Sequence, residues 1–302
     1  MSLRTSPGAA SVAGRADALR HLELRVTRML DGLLTGDHQG LVRGAGSEAG
    51  DARTYQPGDD ARRIDWNLTA RSGETYVRDT IADRELETWL VVDGSASLDF
   101  GTADCEKRDL ALSSAAAFGL LAARGGNRVG AVVFDGADCQ VVPPRAGRDA
   151  VMALLSRLER RPRDVAGVGD LAAAIRRVRL VARRRGVLVV VSDLLDGGDW
   201  EAELRVASAR HDVVVVELRD PREDELPAVG LLTLVDPETG RRVEVQTATD
   251  RVRERFAAAA VARREQRRHS VRAAGADHVV LSTDRDWLPE VARFVSTRRR
   301  YR

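Results

Sequence analysis

Lysine is almost missing from this chain: of its 48 Lys and Arg residues, only Lys107 is lysine. A Walker-type phosphate loop needs a lysine directly after a run of glycines. Lys107 lies in a helical stretch without one, so that route to nucleotide binding is closed. The arginine excess reads as the codon bias of a GC-rich genome. Cysteine is scarce too, with Cys105 and Cys139 alone in 302 residues, which fits a reducing cytosol rather than a disulfide-stapled secreted fold. Aromatics make up 4% of the chain against 43% apolar residues, so the core must be built from Val, Leu and Ala. The five histidines, His21, His38, His211, His269 and His278, include no His-x-x-x-His pair of the zinc-binding kind. No Gly-x-Ser-x-Gly elbow exposes a nucleophilic serine, and Gly94 stands alone where a dinucleotide site needs three glycines. No apolar run approaches the roughly 20 residues that span a bilayer, and residues 1–14 lack the apolar centre of a signal peptide. A soluble, cytoplasmic chain is expected. Charged residues reach 31% but nearly cancel at a net +2, which speaks against a dedicated nucleic-acid protein.

What is present is alternation. Residues 1–15 are expected to be disordered, and residues 17–34 carry Leu19, Leu22, Val26, Met29, Leu30 and Leu33 at helical spacing. A glycine-rich stretch, 36–50, and a charged segment, 51–80, follow. From there strands are expected at 87–93, 128–134, 139–142, 186–191, 212–218 and 278–282. Helices are expected at 104–124, 148–160, 170–185, 200–210 and 250–274, with a short last one from Trp287. Several of these strands are apolar without alternation, the mark of a parallel sheet covered by helices on both faces. Residues 231–235 and 241–245 flank Asp236-Pro-Glu-Thr-Gly240 and predict a late β-hairpin. The expected fold is therefore α/β, doubly wound and mostly parallel, Rossmann-like in its winding, with an N-terminal helix and charged extension. The division is 1–15, 16–85 (helix and charged segment), 86–296 (the α/β domain) and 297–302 (a basic tail). The arginine runs at 183–185, 263–268 and 298–300 are expected to be solvated.

Ligands of such folds bind beyond the carboxyl ends of the parallel strands. The first strand of the domain runs out as Asp93-Gly94-Ser95-Ala96-Ser97, so one carboxylate and two hydroxyls leave it on alternating positions. Hard oxygens of this kind suit Mg²⁺. The strand at 186–191 ends in Ser192-Asp193, which brings a second carboxylate to the same edge. Without an ion, the same side chains would serve as caps of loop and helix-start amides.

This Asp93-x-Ser95-x-Ser97 pattern with a later Asp193 resembles the metal-ion-dependent adhesion site of von Willebrand factor A-type domains. The segment from Arg53 to Trp66, Arg-Thr-Tyr-Gln-Pro-Gly-Asp-Asp-Ala-Arg-Arg-Ile-Asp-Trp, continuing to Thr69-Ala-Arg71, resembles the signature of the domain-of-unknown-function 58 family, in which such a segment precedes a von Willebrand A-like domain. The resemblance implies that Mg²⁺ is held by Asp93, Ser95, Ser97 and Asp193, and that a partner's carboxylate completes the ion's shell. The donor set does not choose among Mg²⁺, Mn²⁺ and Ca²⁺. The family's third hydroxyl, a Thr, is replaced here by Gly169, and Asp170 is the side chain that would stand in for it. The resemblance further implies a bacterial, cytosolic, chaperone-like adaptor whose partner is a MoxR-type AAA+ ATPase. For the charged segment two readings stand. Arg62, Arg63 and Arg71 pair with Asp59, Asp60 and Asp65 while Trp66 is buried, or Arg62, Arg63, Asp65, Trp66 and Arg71 form a partner-docking surface. Two other functions stay open: a structural domain with a degenerate metal site, and a metal-assisted hydrolase, for which no well-placed His or Glu base is evident in the sequence.

Overall fold

Val-rich runs that are apolar on both faces can be satisfied only between two helical layers, and the chain builds that sandwich. The computed structural model describes residues 12–34, 52–55, 64–78, 86–136, 138–163 and 167–301. Helix α1 (Val12–Leu34) leads into strand β1 (Ala52–Thr54), helix α2 (Trp66–Ser72) and strand β2 (Tyr76–Arg78). The α/β domain follows as β3 (Glu87–Asp93), α3 (Lys107–Arg124), β4 (Arg128–Phe134), β5 (Cys139–Arg145), α4 (Arg148–Glu159) and α5 (Leu171–Val181). It continues with β6 (Gly186–Ser192), α6 (Trp200–Ser208), β7 (Asp212–Arg219), the hairpin β8 (Leu231–Val235) and β9 (Arg242–Gln246), α7 (Asp250–Ala273), β10 (Asp277–Ser282) and α8 (Trp287–Tyr301).

The main sheet has the order β10-β7-β6-β3-β4-β5; every pairing is parallel except β4 with β5. The α/β, doubly wound, mostly parallel fold is therefore present. From β3 the chain winds outward first through β4 and β5, then returns to β6 on the other side. The gap between the carboxyl ends of β3 and β6 is thus the topological switch point, where open α/β sheets bind ligands. One face of the sheet is covered by α3, α4 and α8, with α1 packed over them through Leu19, Val26 and Leu30. The other face carries α5, α6 and α7. Helix α3 is buried nearly all round because Ala, Ser and Gly dominate its sequence, so it can lie between sheet and α1.

Several boundaries move for physical reasons. Residues 12–15, expected as disordered, are the first turn of α1, and residues 1–11 lie outside the described residues. Strand β5 runs on through Pro143-Pro144, which an antiparallel edge strand tolerates because its outer N–H row needs no partner. The stretch 297–302, expected as a basic tail, continues α8 to Tyr301. There Arg298 is buried and ion-paired with Asp212 and, at 2.7 Å, Asp277, instead of solvated. Among the described residues no helix is long and apolar enough to cross a membrane.

One arginine of the 263–268 run is also structural. Buried Glu217 accepts hydrogen bonds from Arg219 (2.9 and 3.0 Å) and from Arg267 (2.9 Å), and shares another with His278 at 2.8 Å. Burial alone would raise its pKa, but His278, Arg219 and Arg267 overrule it and hold it at about 2. A carboxylate depressed in this way adds stability above its ordinary 4.5 and gives it up as pH falls toward about 2. Glu217→Ala leaves two cations against each other in a largely buried place and is expected to cost about 3 kcal/mol in urea unfolding at pH 7. An unfolding free energy within about 0.5 kcal/mol of wild type would show the cluster to be ornamental.

Candidate functional site

Backbone constraints at the end of β3 gather the motif's side chains. Gly94 passes so close to β4 that a Cβ would sit 2.9 Å from the Phe134 carbonyl oxygen and 2.8 Å from Arg161 Cδ, so only glycine fits between Asp93 and Ser95. The Gly94 N–H donates to that same carbonyl at 2.6 Å. The chain then turns into a single 3-10 turn at Ala96–Leu98. As a result the Ser95 and Ser97 hydroxyls lie 2.9 Å apart, and Asp93 Oδ1 accepts from the Ser95 N–H at 2.8 Å. Across the switch point, Ser192 Oγ donates to Asp93 Oδ2 at 2.7 Å.

Asp193 follows at the end of β6. Its Oδ1 accepts from the Leu195 N–H (3.1 Å), and its Oδ2 accepts from Lys107 Nζ (2.7 Å). The residue between them, Leu194, is buried with φ of 55°, a left-handed conformation rare for a non-glycine residue and typical of functional turns. Lys107 is 1% exposed and also donates to Glu223 Oε1 at 2.5 Å. Burial works against its charge, but Asp193 and Glu223 together raise its pKa. Burial and then the Asp193 charge push Asp93 up to about 7.

A further carboxylate completes the cluster. Glu238, in the turn of the β8–β9 hairpin, is brought to the cluster by its backbone carbonyl, which accepts from the Gly167 N–H at 3.4 Å, and its carboxylate lies within electrostatic reach of Asp193 and of the Ser95 and Ser97 side chains. Burial, followed by the charge of Asp193, raises its pKa. Glu223 and Glu238 are thus two glutamates of the cluster that the sequence did not place there. The Ser95 and Ser97 hydroxyls, 2.9 Å apart, share one hydrogen bond between them, so one of the two keeps its proton for a carboxylate and both keep lone pairs. With Asp93 and Asp193 also within electrostatic reach of each other, the donors are all oxygen and carry more negative charge than Lys107 neutralises. That chemistry fits a hard divalent cation. Among the described residues, no three His, Cys, Asp or Glu side chains make a metal cage by themselves, so the serine hydroxyls are indispensable to such a site.

The other expected site residues separate. Gly169 does lie at the cluster, since a Cβ there would be 3.4 Å from Ser95 Cβ and 3.2 Å from Phe134 Cε2; a threonine would crowd both. Asp170 is exposed, and its carboxylate caps α5 by accepting from the Ala173 N–H at 2.7 Å, so it does not stand in for the missing hydroxyl. Asp196, which the sequence reading passed over, caps the same helix through the Leu171 N–H at 2.6 Å. In the charged segment, Arg62 and Arg63 lie outside the described residues. Asp65 caps α2 through the Asn67 and Leu68 N–H groups. Trp66 is 69% exposed, which overturns the clasp reading's buried indole, and Arg71, on the same short helix, is exposed too. Both cysteines are free thiols.

Residues 51–266 match the family model described as "Protein of unknown function DUF58". The chain belongs to this family. "Uncharacterized protein Rv1480" of Mycobacterium tuberculosis (strain ATCC 25618 / H37Rv) is similar to it, with 52% identity over 288 residues, 94% of this chain and 90% of that one. "Uncharacterized protein MAV169" of Mycobacterium avium is 43% identical over 160 residues, 53% of this chain and 94% of that one. Among solved structures, an aerotolerance-related membrane protein from Bacteroides fragilis overlays with a TM-score of 0.47 at 14% identity, covering 72% of this chain and all (100%) of that one. The SpRpn10 VWA domain overlays with a TM-score of 0.39 at 13% identity, covering 69% and 94%. Within this DUF58 chain, the family match takes in both the charged segment and the whole oxygen cluster at the switch point.

Proposed function

We propose that this chain is a non-catalytic protein-binding module that grips an acidic side chain of its partner through a divalent cation. In this reading Asp93, Ser95 and Ser97 hold the ion and Asp193 acts on it from behind. The ion supplies a positive point to which a partner's carboxylate can bind. The observation that carries the reading is the convergence, at the switch point, of two hydroxyls 2.9 Å apart with more carboxylate than the local ammonium balances. Mg²⁺ is the first choice, and Mn²⁺ or Ca²⁺ would use the same oxygens. The partner that fits the family is a MoxR-type AAA+ ATPase, met in the cytoplasm, with the exposed side chains of α2, Trp66 and Arg71, as a second point of contact. Exposed aromatic and arginine side chains are the types that anchor interfaces.

A second reading has one observation in its favour. Lys107 already neutralises Asp193, so an ammonium could do the ion's structural work and leave a degenerate site. Melting curves with and without cation separate the two. At one hundred times its Kd, a bound ion adds about 2.7 kcal/mol, or about 7 °C for a domain of this size. A melting point unmoved by Mg²⁺, Mn²⁺ and Ca²⁺ removes the adhesive reading. Capture of the ATPase is expected to be lost in EDTA and restored by Mg²⁺. Metal-dependent hydrolysis of phosphodiester or phosphomonoester probes that disappears in Asp93→Ala would instead make the chain an enzyme.

A further inference from the structure

The adhesive reading requires that a partner reach the serines, yet Asp93, Ser95, Ser97 and Asp193 are all buried. What closes over that cluster is the chain's own hairpin turn: the Gly167 N–H donates to the Glu238 carbonyl at 3.4 Å, Gly169 two residues on lies against Ser95, and the Glu238 carboxylate is within electrostatic reach of both serine side chains. We infer that the β8–β9 hairpin is a tethered ligand of the site: Glu238 holds the place a partner's carboxylate takes, and partners that bind are acidic turns able to displace it. This inference rests on the adhesive reading and adds to it the partner's chemistry and the element that must move.

The hairpin is built for that exchange. Its strands pair with each other and, among the described residues, with no strand of the main sheet. No residue of either strand is fully buried, and only Leu232, Leu234 and Val245 are half-buried, so little apolar surface is exposed when it lifts. Its base is clamped by Thr247, whose N–H and hydroxyl both donate to the Gly230 carbonyl (2.7 and 2.8 Å), beside Gly230 at a φ of 85°. At its tip, Asp236 Oδ1 accepts from the Glu238 and Thr239 N–H groups at 3.0 and 3.4 Å, which fixes the turn that presents Glu238. An acidic residue on a rigid turn is what a cation-centred site recognises. Phe100, Val168 and Leu195, in the loops that follow Ser97, precede Gly169 and follow Asp193, are exposed apolar side chains that a docking turn can cover.

The test uses the full chain and a peptide of residues 230–247, closed by a disulfide at the facing positions of Leu231 and Gln246 and labelled with a fluorophore. A short tether holds its own ligand at an effective concentration in the millimolar range, so the free peptide competes poorly with the intact arm. Two variants release the arm: Glu238→Gln, and replacement of residues 237–240 by Asn-Gly, which keeps the ladder in register but removes the tip. Both are expected to raise amide exchange across 231–246 and to bind the peptide about tenfold more tightly than wild type. A peptide carrying Gln in place of its Glu should bind neither. Exchange and peptide binding that are the same in wild type and both variants would overturn the tether. Repeating the assay in EDTA separates the two ideas. Tight binding that survives chelation keeps the tether and removes the cation. A Mg²⁺-induced rise in melting point with no peptide binding to either variant keeps the cation and removes the tether.

Discussion

Lys107→Met is expected to cost the metal-free protein about 3–5 kcal/mol, lowering its melting point by about 10 °C. The ammonium is buried and serves Asp193 and Glu223 together, at 2.7 and 2.5 Å. Its removal leaves two carboxylates in a low-dielectric place already charged by Asp93, and an uncompensated buried charge is far more costly than a missing pair. Lys107→Arg is expected to do nearly as badly, because a planar, branched guanidinium cannot occupy a pocket shaped around one nitrogen. Two further measurements give the result its meaning. The double variant Lys107→Met/Asp193→Asn should lose clearly less than the sum of its singles, since each charge exists for the other. Saturating Mg²⁺ should recover a larger part of the loss in Lys107→Met than it adds to wild type, because the freed Asp193 then acts on the ion alone. Additive singles would mean that the pair is geometric coincidence, and an unchanged Mg²⁺ increment would place the ion out of reach of Asp193.

The same residue marks what the sequence could and could not say. The strands β3, β6 and β7 were legible because an unbroken run such as Val213–Val216 has no other use than the middle of a covered sheet. The hairpin was legible from Asp-Pro-Glu-Thr-Gly, and the Asp93-x-Ser95-x-Ser97 spacing by itself announced convergence. Contacts between distant segments were not legible. Glu238 read only as a turn residue, and its place at the serine cluster depends on how an arm outside the main sheet folds back. Lys107 entered only as the lysine that no phosphate loop could use. Its signal was there, however: a chain that writes nearly every cation as arginine keeps one lysine where five donors would not fit. Arg267 and Arg298 were misjudged for the opposite reason, since a run of like charges gives no hint of which member turns inward to Glu217 or Asp277.

Asp93→Asn is expected to abolish the Mg²⁺ response altogether while making the metal-free protein more stable at pH 8. The two effects share a cause. Burial and the nearby Asp193 raise the Asp93 carboxyl from 3.8 to about 7, so the folded protein binds that proton more tightly than the unfolded chain. A group shifted in this direction withdraws stability as pH climbs from its unfolded pKa through its folded one, and above about 7 the full cost of the buried charge is present. Asparagine keeps an acceptor for the Ser95 N–H and a polar contact for the Ser192 hydroxyl, but carries no charge to be penalised or to attract a cation. In the wild type the ion and the proton compete for the same oxygens, so Mg²⁺-induced stabilisation should grow between pH 6 and pH 8, with proton release on binding. Paired melting curves of wild type and Asp93→Asn across that range, each with Mg²⁺ and with EDTA, read both effects at once. A variant that still answers to Mg²⁺, or a wild-type response flat in pH, would move the cation away from Asp93 and with it the centre of the adhesive site.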